Sequence, residues 1–221
     1  MFINFYLCQK LASKLLAKQQ LSTTKINVMK LHYDKKIVFF TIQEYAKATN
    51  TPITDYCLKG KLVDGYTIIK EDFYIVLYNK NLCANRRNWT IAHEIGHIYL
   101  GHEQDTEVEE IEAHFFAAQL LMPEFILYKV YMNIGKLTEK EILDLFFVSS
   151  DAAKKRILTF QRKHKYSCTK DDRLIWDVLE KDVTAYCRKH KNDQKSNPLP
   201  YFLYEDNSFY KAEEEWLYGF L

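Results

Sequence analysis

The sequence has few of the features that mark secreted, disulfide-linked or membrane-spanning proteins. Its 5 cysteines are scattered, odd in number and without a CxxC pair, which argues against both a disulfide framework and a thiolate zinc site. The apolar start Met1–Leu7 lacks a basic n-region and a cleavage site, so it does not resemble a signal peptide. No apolar run approaches the roughly 18 residues of a membrane-spanning helix. We therefore expect a soluble, cytoplasmic protein that does not enter a membrane.

Low-complexity sequence and internal repeats are also absent, and the composition is that of a globular protein. Of 221 residues, 48% are hydrophobic and 27% are charged, enough for one core with an appendage or for two small domains. The net charge of +2 favours no particular partner, but the charges are unevenly placed. Residues 103–124 contain seven acids and no Lys or Arg, whereas residues 151–200 contain thirteen Lys or Arg against seven acids.

Hydrophobic periodicity and capping signals predict a mixed α+β fold. Leucines every four residues from Leu7 to Leu15 predict an amphipathic helix over residues 5–20. Three β-prone runs predict strands, and the last two are spaced as a hairpin: Ile37–Phe40, Gly65–Ile69 and Phe73–Tyr78. Caps and helix-ending residues predict the remaining helices at residues 43–48, 88–101, 106–122, 138–147 and 151–162.

The segment His93-Glu94-Ile95-Gly96-His97 is an HExxH motif within a helical, largely apolar stretch. Residues four apart on a helix differ by about 40° in azimuth and about 6 Å in rise, so both imidazoles project from one face and can share one ion. Zinc binds two neutral imidazoles and a carboxylate and keeps a fourth position for water, whose pKa it lowers to about 7. Glu94 directly follows His93 and is placed to take the proton of that water. The motif therefore predicts a zinc-dependent peptidase.

The third ligand must come from a second helix, and residues 106–122 offer four acids. Glu110 shares a helical stripe with alanines, whose small side chains permit a close approach of two helices. Glu107 and Glu112 fall on other stripes, and Glu109 is used in the predicted capping box. We favour Glu110 on this geometry, and the other three acids stay open as alternatives.

Two further histidines lie near these residues. His102 is five residues after His97, about 140° round the helix, so we expect it to act at the helix end rather than as a ligand. His114 follows Glu110 by four residues and is predicted either to orient one of the metal ligands through a hydrogen bond or simply to pack. The spacing of the other histidines does not indicate a metal site.

Two motifs together resemble the ImmA/IrrE family of metallopeptidases. The first is Arg86-x-x-Trp89-Thr90-Ile91-Ala92-His93-Glu94-Ile95-Gly96-His97. The second is Glu110-x-Glu112-Ala113-His114-x-Phe116-Ala117-Ala118-x-Leu120-Leu121-Met122-Pro123. The likeness is good over about residues 60–125 and weaker to about residue 163. Both motifs together are far more specific than HExxH alone.

The resemblance implies a zincin-like core in which His93, His97 and Glu110 hold zinc and Glu94 is the catalytic acid and base. The chain departs from the family's pattern at His114, where members usually have Asn. In related metallopeptidases an Asp or Asn at this position supports a ligand histidine, and a histidine can do the same.

On this basis we expect four segments along the chain. They are an N-terminal helix that could be an extension (1–28), the metallopeptidase core (29–130), helices that resemble a helix-turn-helix (131–165), and a C-terminal tail without an assigned role (166–221). Within the tail, Lys189–Pro200 is predicted to be a linker, and the aromatic segment Tyr201–Leu221 is expected to dock on another surface.

The resemblance also implies a function. Known members of the family cut or inactivate a helix-turn-helix repressor, often of a mobile element or a stress regulon, so we expect a zinc endopeptidase with such a protein substrate. An endopeptidase cleft takes its substrate as an extended strand beside an edge strand, for which Phe73–Tyr78 is the candidate.

The alternative function is a zinc-containing DNA-binding or regulatory protein that acts without proteolysis. Basic residues cluster on and after the last predicted helix: Lys154, Lys155, Arg156, Arg162, Lys163 and Lys165. Basic helices of this kind are more often solvated faces than recognition helices, and no base-reading side chains can be identified. Glu94 also favours chemistry, because a purely structural metal site would not need a base.

Overall fold

The computed structural model describes residues 3–104, 106–161 and 168–191. These residues fall into two compact units. The first contains the described residues up to Gln19 and Asn27–Leu120, and the second contains Gln20–Ile26 and the described residues from Leu121 onward. The strands are β1 (Ile37–Thr41), β2 (Cys57–Leu58), β3 (Lys61–Leu62), β4 (Gly65–Ile69) and β5 (Tyr74–Tyr78). The helices are α1 (Phe5–Ala17), α2 (Ile42–Ala48), α3 (Ala84–Leu100), α4 (Glu107–Leu121), α5 (Glu124–Ile134), α6 (Glu139–Leu145), α7 (Ser150–Gln161) and α8 (Lys170–His190).

The main sheet of the first unit has three strands in the order β1-β5-β4. Strand β1 runs parallel to β5, with Val38 opposite Ile75, and β4 runs antiparallel to β5, with Thr67 opposite Val76. Strands β2 and β3 form a separate two-stranded sheet. The predicted α+β class, with a small sheet, the HExxH helix and a helical C-terminal part, is confirmed. None of the described helices is both long and apolar enough to cross a membrane.

Strand β5 is the central strand of the main sheet. Its residues Ile75, Val76 and Leu77 are buried, as expected for an apolar run that is covered on both faces. The expectation that Phe73–Tyr78 supplies an edge for a substrate strand is therefore wrong, because β5 already has a partner on each side. Within the part of the chain that the structure describes, the edges of this sheet are β1 and β4, and β4 is the edge that lies against α3.

A left-handed glycine ends α3, and a capping box begins α4. Gly101 ends α3 with a φ of 74°, a left-handed conformation that favours glycine, and its N–H donates to the carbonyl oxygen of His97 at 3.0 Å. Thr106 and Glu109 form the predicted capping box at the start of α4. The Thr106 N–H donates to the Glu109 carboxylate at 3.1 Å, and the Glu109 N–H donates to the Thr106 hydroxyl at 3.3 Å.

Gly96 lets α3 and α4 approach closely. A Cβ atom at this position would lie 3.0 Å from the carbonyl oxygen of Ala113, 3.1 Å from its Cα atom and 3.3 Å from the Cβ atom of Phe116. Since two of these atoms belong to the backbone, a larger residue at position 96 would push α4 away. Ala113 is fully buried, so the prediction that small residues of α4 permit close helix approach is confirmed.

Helix α1 belongs to the first unit but presents a stripe one position away from the predicted one. Leu7 is 37% exposed, whereas the buried residues of the helix are Cys8, Ala12, Leu15 and Leu16. The helix begins after Asn4, whose side chain accepts a hydrogen bond from the N–H of Leu7 at 3.0 Å, and it ends at Ala17 rather than residue 20. The leucine spacing thus located the helix and one buried residue, Leu15, but not the rest of its buried face.

Helix α5 was not predicted from the sequence. Pro123 ends α4 as expected, but it is also the residue from which α5 begins, with a φ of −56° that suits a helix start. The new helix buries Phe125, Ile126, Leu127 and Val130 within the second unit. Only Met122 and Pro123 separate the two helices, so the proline that follows α4 also caps the start of α5.

The second unit continues with α6 and α7, which are joined by residues 146–149. The connection has the length of a helix-turn-helix turn, and the predicted capping box of Thr138 and Glu141 opens α6. Helix α8, also unpredicted, begins with a capping box of Thr169 and Asp172. It lies in the segment that was expected to be an unassigned tail. The division of the chain into four segments stays a prediction.

Helix α8 also includes the start of the predicted linker. Of Lys189–Pro200, the first two residues end the helix, and residues 192–200 lie outside the described residues. The aromatic segment Tyr201–Leu221 lies outside them as well.

Arg156 does not belong to the basic surface on which the DNA-binding alternative rests. Its side chain is only 2% exposed, and it donates from Nε at 3.3 Å and from Nη2 at 3.0 Å to the carbonyl oxygen of Met122, the residue just after α4. A buried guanidinium that satisfies a helix-terminal carbonyl is a structural element. Lys154 is exposed, and the remaining arginine and lysines of the cluster after residue 161 lie outside the described residues.

We predict that Arg156→Met lowers the free energy of unfolding by about 1–3 kcal/mol, because the carbonyl of Met122 loses its donor within a buried site. Lys154→Met is the matched control. Its free energy of unfolding should stay within about 0.5 kcal/mol of that of the wild type, because the contact of Lys154 with Glu139 is an exposed ion pair. Urea unfolding followed by circular dichroism measures both. Equal stability of the two variants would show that Arg156 is not a structural donor.

Candidate metal centre

The two histidines of the HExxH motif converge on one face of α3. The Nε2 atoms of His93 and His97 lie 3.0 Å apart, and their rings are nearly perpendicular at 77°. The i, i+4 spacing therefore brings the two nitrogens together as expected from helix geometry. Around them α3 is buried, with Ile91, Ala92 and Ile95 each at most 1% exposed.

Of the four acids considered on α4, the structure brings Glu110 to the two histidines. Its Oε2 atom lies 3.3 Å from Nε2 of His93, and its Oε1 atom lies 3.2 Å from Nε2 of His97. Glu109 is engaged in the capping box, Glu112 contacts His102, and Glu107 is exposed.

The three side chains fit a metal ion in both spacing and charge. A tetrahedral ion with bonds of about 2.0–2.1 Å holds its ligand atoms about 3.3 Å apart. The three separations among the nitrogens and carboxylate oxygens, 3.0, 3.2 and 3.3 Å, are close to that value. Burial opposes ionisation of Glu110, but when His93 and His97 are protonated their hydrogen bonds and charges outweigh it and hold the pKa of Glu110 well below its usual range. A metal ion bound by the two neutral imidazoles would supply the positive charge in place of those protons.

Glu94 lies beside these residues in a buried environment. It is 8% exposed, and burial raises the pKa of its carboxyl group. The hydroxyl of Thr67 on β4 donates to its Oε2 atom at 2.6 Å. The edge strand of the sheet therefore fixes the orientation of the glutamate of the HExxH motif.

Gly65 allows β4 to pass close to Glu94. A Cβ atom on Gly65 would lie 2.5 Å from Cγ2 of Thr90 and 2.9 Å from Oε1 of Glu94. Real Cβ atoms do not come so close to other atoms, so a side chain at this position would force α3 or β4 to shift. The absence of a side chain at position 65 is therefore part of the geometry of the site.

His114 packs against His93. The two ring centroids are 4.3 Å apart with a tilt of 48°, and the ring centroid of Trp89 lies 6.4 Å from that of His114. Ligand atoms of His93, Glu110 and His114 all lie within 4.8 Å of one another, which defines a second, looser donor set. The set with His97 is the better candidate because its atoms are already 3.0–3.3 Å apart.

The contacts of two residues at the site were not predicted from the sequence. One is Thr67, and its position opposite a central strand could not be read without the register of the sheet. The other is His102, whose Nδ1 atom lies 3.0 Å from Nδ1 of His97 and whose Nε2 atom lies 3.1 Å from Oε2 of Glu112. The left-handed Gly101 turns the chain back, so that His102 lies beside the last turn of α3, and the expected location at the helix end is correct.

Two imidazoles and a carboxylate from adjacent helices, with a buried glutamate beside them, form the arrangement of a zincin-like metallopeptidase core. The chain belongs to the IrrE N-terminal-like domain family (peptidase M78), whose sequence model matches residues 46–158, about half of the chain. A comparison with curated proteins finds no match. The family resemblance predicted from the two motifs is confirmed, and membership supports a metallopeptidase that acts on a protein.

We predict that Gly65→Ala lowers the free energy of unfolding by about 1–3 kcal/mol, because the new methyl group overpacks the interface of β4 and α3. Thr90→Ser removes the Cγ2 atom nearest to that methyl group, and this substitution alone should lower the free energy of unfolding by about 1 kcal/mol. In the double variant the two losses should be less than additive, since the serine leaves room for the added Cβ atom. Urea unfolding of all four proteins measures this coupling, and strictly additive losses would argue against the close approach.

Proposed function

We propose that this metallopeptidase is a zinc-dependent endopeptidase in which His93, His97 and Glu110 hold the metal and Glu94 is the catalytic acid and base. The observation that carries the proposal is the cluster of three ligand atoms, which lie 3.0–3.3 Å apart on two helices. Two neutral imidazoles and one carboxylate are a ligand set typical of catalytic zinc.

When bound, zinc would supply Lewis acidity, activating water and polarising the carbonyl of the scissile peptide bond. Glu94 is suited to the proton transfers, because burial raises the pKa of its carboxyl group and so makes it a stronger base than an exposed glutamate. Thr67 donates to Oε2 of Glu94 and so holds the carboxylate in one orientation. In this account Oε1 is the oxygen that receives the proton of the attacking water.

Among the strands that the structure describes, β4 offers a suitable edge for a peptide substrate at this site. Strand β4 is an edge of the main sheet, and its Thr67 touches the catalytic glutamate. An extended peptide that pairs with β4 would gain main-chain hydrogen bonds and pass next to Glu94. A folded domain cannot supply such a strand, so cleavage is expected in a flexible linker or after local unfolding.

We further propose that the substrate is a helix-turn-helix repressor, as the family resemblance suggests. The acidic segment 103–124 offers only limited support for a basic partner. Glu103 and Glu107 are exposed, but Glu124 is buried, and Glu110 and Glu112 are engaged with histidines. Electrostatic attraction of a DNA-binding partner would therefore depend on few charges, and the linker that the peptidase cuts would carry the specificity.

The non-proteolytic alternative is the less well supported of the two functions. It relies on the basic cluster around α7, from which Arg156 is removed by burial. It also gives no role to Glu94, whose carboxylate is buried and held in place by Thr67. Direct base recognition needs exposed side chains that can reach a groove, and the described part of the cluster retains only two lysines.

We predict that the purified wild-type protein holds about one zinc per chain and that Glu110→Ala loses most of it, because one of three protein ligands is gone. Glu107→Ala is the matched control on the same helix, since Glu107 is exposed in the first turn of α4 and lies away from the histidines. Metal analysis after dialysis against a weak chelator measures the retention. If Glu107→Ala lost zinc and Glu110→Ala retained it, the assignment of the third ligand would be wrong.

We predict that Glu94→Gln retains zinc but loses cleavage of the repressor by about 100-fold or more, because the base is lost and the ligands are not. The assay incubates zinc-loaded protein with a helix-turn-helix regulator encoded beside its gene and follows the intact mass of the regulator. Wild-type protein should cut it once or a few times in a linker. An intact regulator whose DNA binding is nonetheless relieved by both wild type and Glu94→Gln would favour the non-proteolytic alternative.

A further inference from the structure

Next to His97 lies a row of partly buried polar groups that the proposed reaction does not use. Nδ1 of His97 lies 3.0 Å from Nδ1 of His102, and Nε2 of His102 lies 3.1 Å from Oε2 of Glu112. The second oxygen of Glu112 accepts a hydrogen bond from the N–H of Asn4 at 2.6 Å. The side chains of His102 and Glu112 are only 6% and 14% exposed, so water screens this row much less than it screens a surface ion pair.

The spacing of these atoms allows one protonation pattern that is compatible with metal binding. A histidine that binds a metal through Nε2 must carry its proton on Nδ1. That N–H of His97 can donate only if Nδ1 of His102 has a free lone pair. The proton of His102 then lies on Nε2, where it faces the carboxylate of Glu112. A doubly protonated His102 would place two N–H groups against each other or force His97 into the tautomer that cannot bind through Nε2.

His93 provides a contrast within the same site. Its Nδ1 atom is buried and has no hydrogen-bond partner among the described residues, and its ring packs against that of His114. The two histidines of the motif are therefore held differently. Packing positions the ring of His93, whereas a row of directed hydrogen bonds positions that of His97.

We infer that His102 and Glu112 are positioning residues that fix the tautomer and the ring orientation of His97 for metal binding. The inference rests on the proposed role of His97 as a ligand and deepens it. A carboxylate at the end of such a row makes the ligand imidazole more basic and reduces its freedom to rotate. The Asn4 N–H holds Glu112 from the other side, so the start of α1 contributes to the same arrangement.

The test measures zinc affinity by competition with a chromophoric chelator, together with the ring N–H signals of 15N-histidine in the zinc-loaded protein. His102→Leu should weaken zinc binding by about 10–100-fold, the usual effect of losing a residue that orients a ligand. It should also abolish the slowly exchanging Nδ1–H signal of His97, which is assigned by its absence in His97→Ala. His102→Gln should restore most of the affinity, because its amide oxygen accepts from His97 and its amide N–H can donate to Glu112.

Glu112→Ala and Glu107→Ala form the matched pair on α4, since each removes one acid and only Glu112 contacts His102. We expect weaker zinc binding and faster exchange of the His97 N–H in Glu112→Ala, and wild-type behaviour in Glu107→Ala. The inference is overturned if His102→Leu binds zinc like wild type, or if His102→Gln is no better than His102→Leu. If His102→Leu does not fold, the wild type still provides a test. Fast solvent exchange of the Nδ1–H of His97 in the zinc-loaded wild type would overturn the inference as well.

The zinc affinity of His97→Ala distinguishes an error in the proposed ligand set from an error in the positioning role of His102. If His97→Ala retains zinc with wild-type affinity, His97 is not a ligand, and the positioning role of His102 is overturned with it. If His97→Ala loses zinc while both the His102 and the Glu112 variants retain it, only the positioning role is overturned and the ligand set stands.

Discussion

The close approach of α3 and α4 is the constraint on which the site depends. Gly96 lies within the HExxH motif itself, and a Cβ atom there would press on the backbone of Ala113 at 3.0–3.1 Å. Glu110 is three residues before Ala113, so its distance from the histidines is set by this contact. The glycine of the motif therefore helps to set the position of the acidic side chain on the neighbouring helix.

A glycine also permits close packing on the other face of α3. Gly65 allows β4 to run next to Glu94, and Thr67, two residues on, supplies the hydroxyl that orients the carboxylate. Since side chains alternate along a strand, a glycine and a threonine two apart face the same helix. Strand β4 thus has no side chain at position 65 and provides a hydrogen-bond donor two residues on, and it is an edge of the main sheet among the described strands.

Sequence reasoning was reliable where the signal was local. Helix spacing placed His93 and His97 together, and capping boxes located the starts of α4 and α6. A stripe of small residues favoured Glu110 among four acids, and the structure places Glu110 beside the two histidines, while its role as a metal ligand stays a prediction. It failed where the answer depended on distant partners. The central place of β5 requires β1, and the burial of Arg156 requires the end of α4. Likewise, the contact of His102 with Glu112 appears only once α4 has packed beside the turn at Gly101.

The most direct test of the account is a crystal of the zinc-loaded protein measured at the zinc absorption edge. The account predicts one anomalous peak within bonding distance of Nε2 of His93, Nε2 of His97 and the carboxylate of Glu110. A peak held instead by His93, Glu110 and His114, with His97 turned away, would contradict it. So would a zinc-loaded protein in which the ion lies outside the two helices altogether.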